Sequence, residues 1–167
     1  MRDKLVGEIP YLRRFARGLA RDRSRADDLV QECVERALTR EHLYDPSRNL
    51  RTWLFTILRN LYLNKIRDER ARPVVSEAKF DDLLAAPPGG SQFDVVLARQ
   101  VLTAMEALSV EHREVLLLVA VEGLSYRETA EIIGTPTGTV MSRLARAREQ
   151  LRIQIEGGPR SQIRRVK

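Results

Sequence analysis

Residues 125–148, SYRETAEIIGTPTGTVMSRLARAR, decide the fold of the C-terminal half. Ser125 with Glu128 three residues on forms a capping box that opens a short helix from Tyr126 to Ile133. Ala130 is small enough for a second helix to cross closely, and Gly134 suits a turn with positive φ. Thr135 is placed to cap the next helix, with Pro136 at its first position and Val140 and Leu144 facing inward. Small residue, glycine turn and buried valine at these offsets predict a helix-turn-helix, whose second helix enters the DNA major groove by its N-terminal residues. The outward positions Thr137, Thr139, Ser142, Arg143 and Arg146 carry hydrogen-bonding or cationic groups suited to base edges and phosphates. Arg148 and Arg152 extend that character toward phosphate or solvent. The competing reading is an ordinary αα-hairpin with a solvated cationic face.

Helical spacing runs outward from this stretch in both directions. Phe93, Val96, Leu97, Val101, Ala104 and Leu108 recur at helical steps, and Ser109 caps a short apolar helix ending at Gly123. Toward the N-terminus, Ile9, Leu12, Phe15, Ala16 and Leu19 form one apolar stripe. Ser24 with Asp27 predicts the cap of a second helix, which turns Ala26, Leu29, Val30, Cys33, Val34, Ala37 and Leu38 inward. Asp45-Pro46-Ser47 marks a turn before a third helix, from about Leu50 to Arg70, with Trp53, Leu54, Ile57, Leu58 and Leu61 as its inward stripe. No stretch alternates as a β-strand does. Pro73 and then Pro87-Pro88-Gly89-Gly90-Ser91 cannot continue a helix, so a linker is expected over residues 73–92, with Phe80, Leu83 and Leu84 as a possible short docked helix within it. The expected fold is all-α: two small helical domains, residues 1–72 and 93–155, joined by a flexible linker, with a basic tail over 156–167.

Charge follows the same division. The 167 residues carry 29 basic and 23 acidic side chains, net +6. Residues 51–72 hold six basic and two acidic groups, residues 73–112 two and six, and residues 137–167 eight and two. Two basic blocks around an acidic middle fit two separate contacts with a polyanion, of which nucleic acid is the commonest; two solvated helix faces are the alternative. A single cysteine, Cys33, excludes a disulfide framework and a Cys-rich zinc site, and two histidines are too few for a His-based one. No apolar run approaches the roughly 18 residues that a membrane helix needs, Val115 to Val121 being the longest, so a soluble cytosolic protein is expected. Neither a nucleophile–base pair nor a phosphate loop is present to suggest an enzyme, and no cofactor is expected.

Two faces of the first half stand out. Asp28, Gln31, Glu32 and Glu35 share one side of the second helix. With no cleft signal for a carboxylate pair, the face is either solvated or docks a partner protein. The third helix mixes Phe55, Arg59, Asn60, Tyr62, Asn64, Lys65 and Arg67, an aromatic–amide–cation blend suited to unstacked bases and a single-strand backbone.

Together these motifs resemble the extracytoplasmic-function (ECF) sigma factors of bacterial RNA polymerase. Residues 25–32 (RADDLVQE) and 53–60 (WLFTILRN) resemble their region 2. Residues 108–115 (LSVEHREV), 122–130 (EGLSYRETA) and 138–148 (GTVMSRLARAR) resemble their region 4. The resemblance covers about residues 5–155, and Leu5 to Arg72 further resembles the general-stress-response group.

The resemblance implies partners and roles. Asp28, Gln31, Glu32 and Glu35 would dock on the clamp helices of the polymerase β′ subunit, and region 4 would meet the β flap. The loop Tyr44 to Asn49 and the helix Trp53 to Arg67 would read the −10 element and hold a flipped base, through Arg48, Asn49, Phe55, Arg59, Asn60, Asn64 and Arg67. Thr137, Thr139, Ser142, Arg143 and Arg146 would read −35 DNA as duplex. An anti-sigma factor would hold the free protein in check, in a stress response. Met141, where the family often has a basic residue, and Ala145, where a larger one is common, leave the −35 preference open. The alternatives are a stand-alone helix-turn-helix regulator, which leaves the acidic face without a role, and a sigma-like decoy that binds an anti-sigma protein but not DNA.

Overall fold

A computed structural model of the chain describes residues 2–71 and 100–156. The expected linker, its short docked helix, the start of the second half at Phe93 to Leu97 and the basic tail beyond Glu156 lie outside these residues. Among the described residues the secondary structure is helical throughout. The first half holds α1 (Arg2–Ala20), α2 (Arg23–Thr39), a single 3-10 turn (Glu41–Leu43) and α3 (Leu50–Ala71). The second holds α4 (residues 100–106), α5 (Val110–Leu116) running on into a π-helical turn (Leu117–Val121), α6 (Tyr126–Ile133) and α7 (Thr137–Glu156).

Local chemistry sets most of these boundaries. Arg21 takes a left-handed φ of 58° and its N–H closes on the Arg17 carbonyl at 3.0 Å, ending α1. Asp22 then caps α2, its carboxylate accepting from the Arg25 N–H at 2.7 Å. The expected cap, Ser24, is already inside the helix, because α1 stops early enough for Asp22 to be the first extended residue. Ser109 caps α5 as expected, and the capping box of Ser125 and Glu128 is complete in both directions. Gly134 is left-handed (φ 69°) and donates to the Ala130 carbonyl at 2.9 Å, which makes the turn of the helix-turn-helix. Thr135 does not cap α7: its hydroxyl is buried without a hydrogen-bond partner, while the Thr139 and Val140 N–H groups reach the Pro136 carbonyl. Arg113, almost wholly buried, reaches back to the carbonyls of Met105 (3.1 Å) and Leu108 (2.9 Å) and so closes the end of α4.

The core of the first half is made by Leu12, Phe15 and Leu19 of α1, Leu29 and Cys33 of α2, and Leu54, Leu58 and Leu61 of α3. The third helix buries more than its expected stripe. Phe55 and Tyr62 are also inside, whereas Trp53 and Ile57 are half-buried, so the buried stripe is rotated along the helix toward Phe55, which meets Phe15 of α1. Leu38, expected inward at the end of α2, is 36% exposed.

The two halves pack on each other. One continuous apolar cluster runs from Leu5 through Leu117 and Leu118 to Ala147. Leu117 sits directly over Gly18, where a Cβ would come within 2.6 Å of its Cδ2, so any larger residue at position 18 would force the Leu117 side chain to shift. Around the apolar contact lie charged pairs. Arg14 grips the buried Glu122 carboxylate through Nε and Nη2, both at 2.7 Å, and the exchange holds the Arg14 guanidinium above its ordinary pKa. Arg59 of α3 lies 3.2 Å from Glu114 of α5.

Candidate polymerase and nucleic-acid interfaces

The acidic face of α2 exists as expected, with one qualification of charge. Asp28, Gln31 and Glu35 are exposed, and the Gln31 amide donates to Glu35 at 3.0 Å. Glu32 is half-buried between Arg36 (3.0 Å) and Lys65 (3.2 Å), so its carboxylate is neutralised from two sides. Lys65 therefore links this face to α3, a role that its place in a basic helix does not reveal. Cys33, beneath the same face, donates to the Leu54 carbonyl at 3.5 Å, and burial pushes its thiol up to about 12. It is a packing residue.

The candidate −10 surface divides into three groups. The loop before α3 is built by its own side chains. Asp45 accepts from the backbone N–H and the hydroxyl of Ser47 (2.9 and 2.8 Å), which holds its carboxyl below the usual range. Tyr44 donates its hydroxyl to the Arg48 carbonyl at 2.7 Å and tilts against Trp53, ring centroids 5.1 Å apart. Trp53 thus supports the loop from α3, which its place in an inward stripe did not suggest. Arg48 projects into solvent. Asn49 caps α3 by accepting from the Arg51 N–H at 2.9 Å and stretches 3.4 Å to Glu128 of α6.

On α3 itself, Asn60, Asn64 and Arg67 are exposed at four- and three-residue spacing and so share a face. Phe55 does not belong with them. It is fully buried, its ring centroid 4.9 Å from that of Phe15, and cannot line a base pocket: a phenyl ring between two packed helices is worth more in the core than against solvent. Arg59 is turned to the second half. Its side chain is 16% exposed, and its charge meets Glu114, which is 1% exposed. The two charges attract at 3.2 Å, yet neither Arg59 Nε nor Glu114 Oε1 makes a well-aligned hydrogen bond. Burial pushes the Glu114 carboxyl above its ordinary range, against the pull of Arg59.

The second helix of the helix-turn-helix, α7, buries Val140, Leu144 and Ala147 and exposes Thr137, Ser142 and Arg146. Thr139 is half-buried, and the Ser142 hydroxyl donates back to its carbonyl at 3.1 Å. Arg143 is half-buried too. Its charge acts on Glu111 and Glu114 of α5, and Glu111 is held below the usual range first by a backbone N–H and then by Ser109, with Arg143 adding to this. Of the two arginines expected at the −35 surface, Arg146 is the freer.

Comparison with known proteins places these surfaces in a family. The chain is 37% identical over 172 residues to the ECF RNA polymerase sigma factor EcfG of Rhodopseudomonas palustris, a match covering 99% of this chain and 94% of that protein. The chain belongs to the ECF sigma factors. Residues 5–59 of the sigma factor match the "Sigma2 domain of PhyR" family, and residues 98–151 match "Sigma-70, region 4", in the order expected from the motifs. It is also 30% identical to SigM of Bacillus subtilis, over 83% of this chain and 85% of SigM. Among solved structures it is similar to the sigma factor RpoE in complex with the anti-sigma factor NepR from Bartonella quintana, with a TM-score of 0.78, 30% identity and coverage of 93% and 96% of the two chains. CnrH, solved in complex with the cytosolic domain of CnrY, gives a TM-score of 0.67 at 27% identity over 93% and 86%. As a sigma factor, the protein works with core RNA polymerase on promoter DNA. Among the described residues, no helix is long and apolar enough to cross a membrane.

Proposed function

We propose that the α2 face formed by Asp28, Gln31, Glu32 and Glu35 docks on the β′ clamp helices of the polymerase. Region 4 meets the β flap, and the loop Tyr44 to Asn49 with Asn60, Asn64 and Arg67 of α3 takes the −10 strand. Thr137, Ser142 and Arg146 of α7 meet the −35 duplex, with Thr139 and Arg143 behind them. The observation that carries this reading is the separation of exposed chemistry: a carboxylate–amide face on α2, an amide–cation face on α3 and a hydroxyl–cation face on α7. Opening of the −10 region costs a few kcal/mol per unstacked base, offset by capture of the extruded base. The protein itself performs no covalent chemistry and acts in the cytoplasm, where polymerase and promoter meet. An anti-sigma factor restrains it when idle, a reading supported by the complexes of the similar RpoE and CnrH. The inducing condition is general stress, on the resemblance of Leu5 to Arg72 to that group.

This function requires the halves to part. Elements centred near −10 and −35 lie about 25 base pairs apart, roughly 85 Å at 3.4 Å per pair. A compact body of about 130 residues has a radius of gyration near 14 Å and cannot touch both. Separation also frees Arg59, leaving it available to the −10 backbone. Run-off transcription with purified core polymerase and genomic fragments tests the function: promoter-specific transcripts appear only when both proteins are present. Tight operator binding by the chain alone, with no effect on transcription, would instead make it a stand-alone helix-turn-helix regulator.

A further inference from the structure

The recognition helix presents an unusual chemistry at its exposed N-terminal turns. On α7, Thr137, Met141 and Ala145 follow one another at four-residue steps and so form one row, and all three are exposed. Met141 is 52% exposed, the most accessible large apolar side chain in the first half of this helix. Beyond Ala145 the exposed cation Arg148 lies on the same face at a three-residue step, and Glu149, at the next four-residue step, is paired with Arg152 at 2.7 Å. Arg143, the first cation along the helix, is half-buried and does not stand in this row. Ser142, beside the row, has its hydroxyl proton committed to the Thr139 carbonyl. What the row offers to a groove is therefore a threonine methyl, a thioether and an alanine methyl, flanked by charge that suits phosphate.

A lone exposed apolar residue on a protein surface needs no explanation. Met141 and Ala145 in register, with the Thr137 methyl beside them, on the turns of a helix-turn-helix that enter the major groove are different, because the groove carries one apolar group: the 5-methyl of thymine. We propose that Met141, with Ala145 and Thr137 beside it, reads thymine methyl groups in the −35 duplex. Methionine suits the task, being flexible and polarizable enough to follow a methyl whose position shifts with local groove shape. Specificity at −35 then comes from methyl contact along this row more than from an arginine–guanine fork, and Arg146 and Arg148 supply sequence-independent phosphate contact. The inference rests on the assignment of α7 to the −35 element.

The test uses holoenzyme assembled from the full chain and core polymerase, on a promoter found by the run-off assay. Each thymine of the −35 duplex, on either strand, is replaced singly by deoxyuridine, which removes the methyl and nothing else. The expected result is a loss of about fourfold in affinity at one position or more, the equilibrium worth of one buried CH₂ group. That loss disappears in Met141→Ser, a variant whose side chain is exposed and whose helicity is checked by circular dichroism. Equal affinity for thymine and uracil at every position, an undiminished loss in Met141→Ser, or a −35 element without thymine would each overturn the proposal. A scrambled −35 duplex separates this failure from the larger one: if it binds and transcribes as well as the original, α7 does not read −35 at all.

Discussion

Removing one partner of the Arg59–Glu114 pair should have unequal effects depending on which partner is removed. Glu114 has 1% of its side chain exposed and Arg59 16%, so the carboxylate bears most of the burial and the guanidinium keeps a route to water. Desolvation is the largest influence on Glu114 and raises its pKa despite Arg59 at 3.2 Å. Arg59→Met leaves that carboxylate buried, with only the weaker pull of Arg143 to offset its burial. Breaking a buried pair from one side costs about 3–5 kcal/mol, and the partial exposure of Arg59 puts this case near 3. At an m-value of about 2 kcal/mol/M that is a drop of roughly 1.5 M in urea midpoint. Glu114→Gln removes the buried charge and keeps its shape, and should cost below about 1 kcal/mol at neutral pH. The pH dependence carries the same asymmetry. A carboxyl whose folded pKa is raised binds its proton more tightly in the folded state. Its favourable contribution is fully present below the ordinary glutamate value and is lost as pH rises through the raised one. Acidification should therefore shrink the deficit of Arg59→Met, while Glu114→Gln lacks this component. Urea denaturation followed by circular dichroism across the acidic and neutral range measures both. Equal penalties for the two variants, or a deficit in Arg59→Met that does not change with pH, would refute the reasoning.

Other perturbations test neighbouring parts of the argument. Gly18→Ala places a methyl 2.6 Å from Leu117 Cδ2 and should cost about 1–3 kcal/mol in thermal or urea unfolding, with Leu117→Ala in the same chain recovering part of it. Ser125→Ala removes the hydroxyl that accepts from the Glu128 N–H, leaves the Ser125 N–H bonded to the Glu128 carboxylate, and should lower stability by about 1 kcal/mol in the same measurement. Charge reversal at Asp28 and Glu35, which are exposed, should weaken core-polymerase binding with little change in melting temperature; unchanged affinity removes the docking assignment. Arg146→Ala should reduce the salt slope of promoter binding by about one.

The helices and their ends were legible where one or two neighbouring residues determine them. Ser109, Ser125 with Glu128, and Gly134 act within a single turn, and each does in the structure what its type requires. The rule failed at Ser24 for an equally local reason: two capping residues stand two positions apart, and the left-handed Arg21, which no residue type announces, chooses Asp22. Thr135 failed because Pro136 and the Gly134 turn bury its hydroxyl away from the N–H groups it would have capped. For α3 the direction of the stripe was the error. Leu54, Phe55, Leu58, Leu61 and Tyr62 fall on one contiguous face, turned toward Phe55 and away from Trp53 and Ile57, and Phe55 meets Phe15 of α1 there. An aromatic residue among cations reads the same whether it will stack on a base or on Phe15.

The contact between the halves was illegible for a different reason, and that reason bears on function. Arg14, Arg59, Glu114 and Glu122 are charged, and on a helix charge reads as solvent-facing; Glu114 and Glu122 are nevertheless buried and Arg59 largely so, with partners some 55 to 110 residues away in sequence, while Arg14 reaches in from the surface. The same chemistry fits an interface that must come apart. Charges pulled from low dielectric regain hydration on separation, so an ion pair adds little net cohesion, whereas an all-leucine seam would resist opening in proportion to its area. Here the apolar part runs from Leu117 over Gly18 to the packing of α3 on α6, and the pairs at Arg14 and Arg59 lie around it and fix its register. A sigma factor whose two DNA-reading surfaces lie on one body, and whose target elements lie several body-radii apart, needs contacts that specify how the halves close more than contacts that hold them closed.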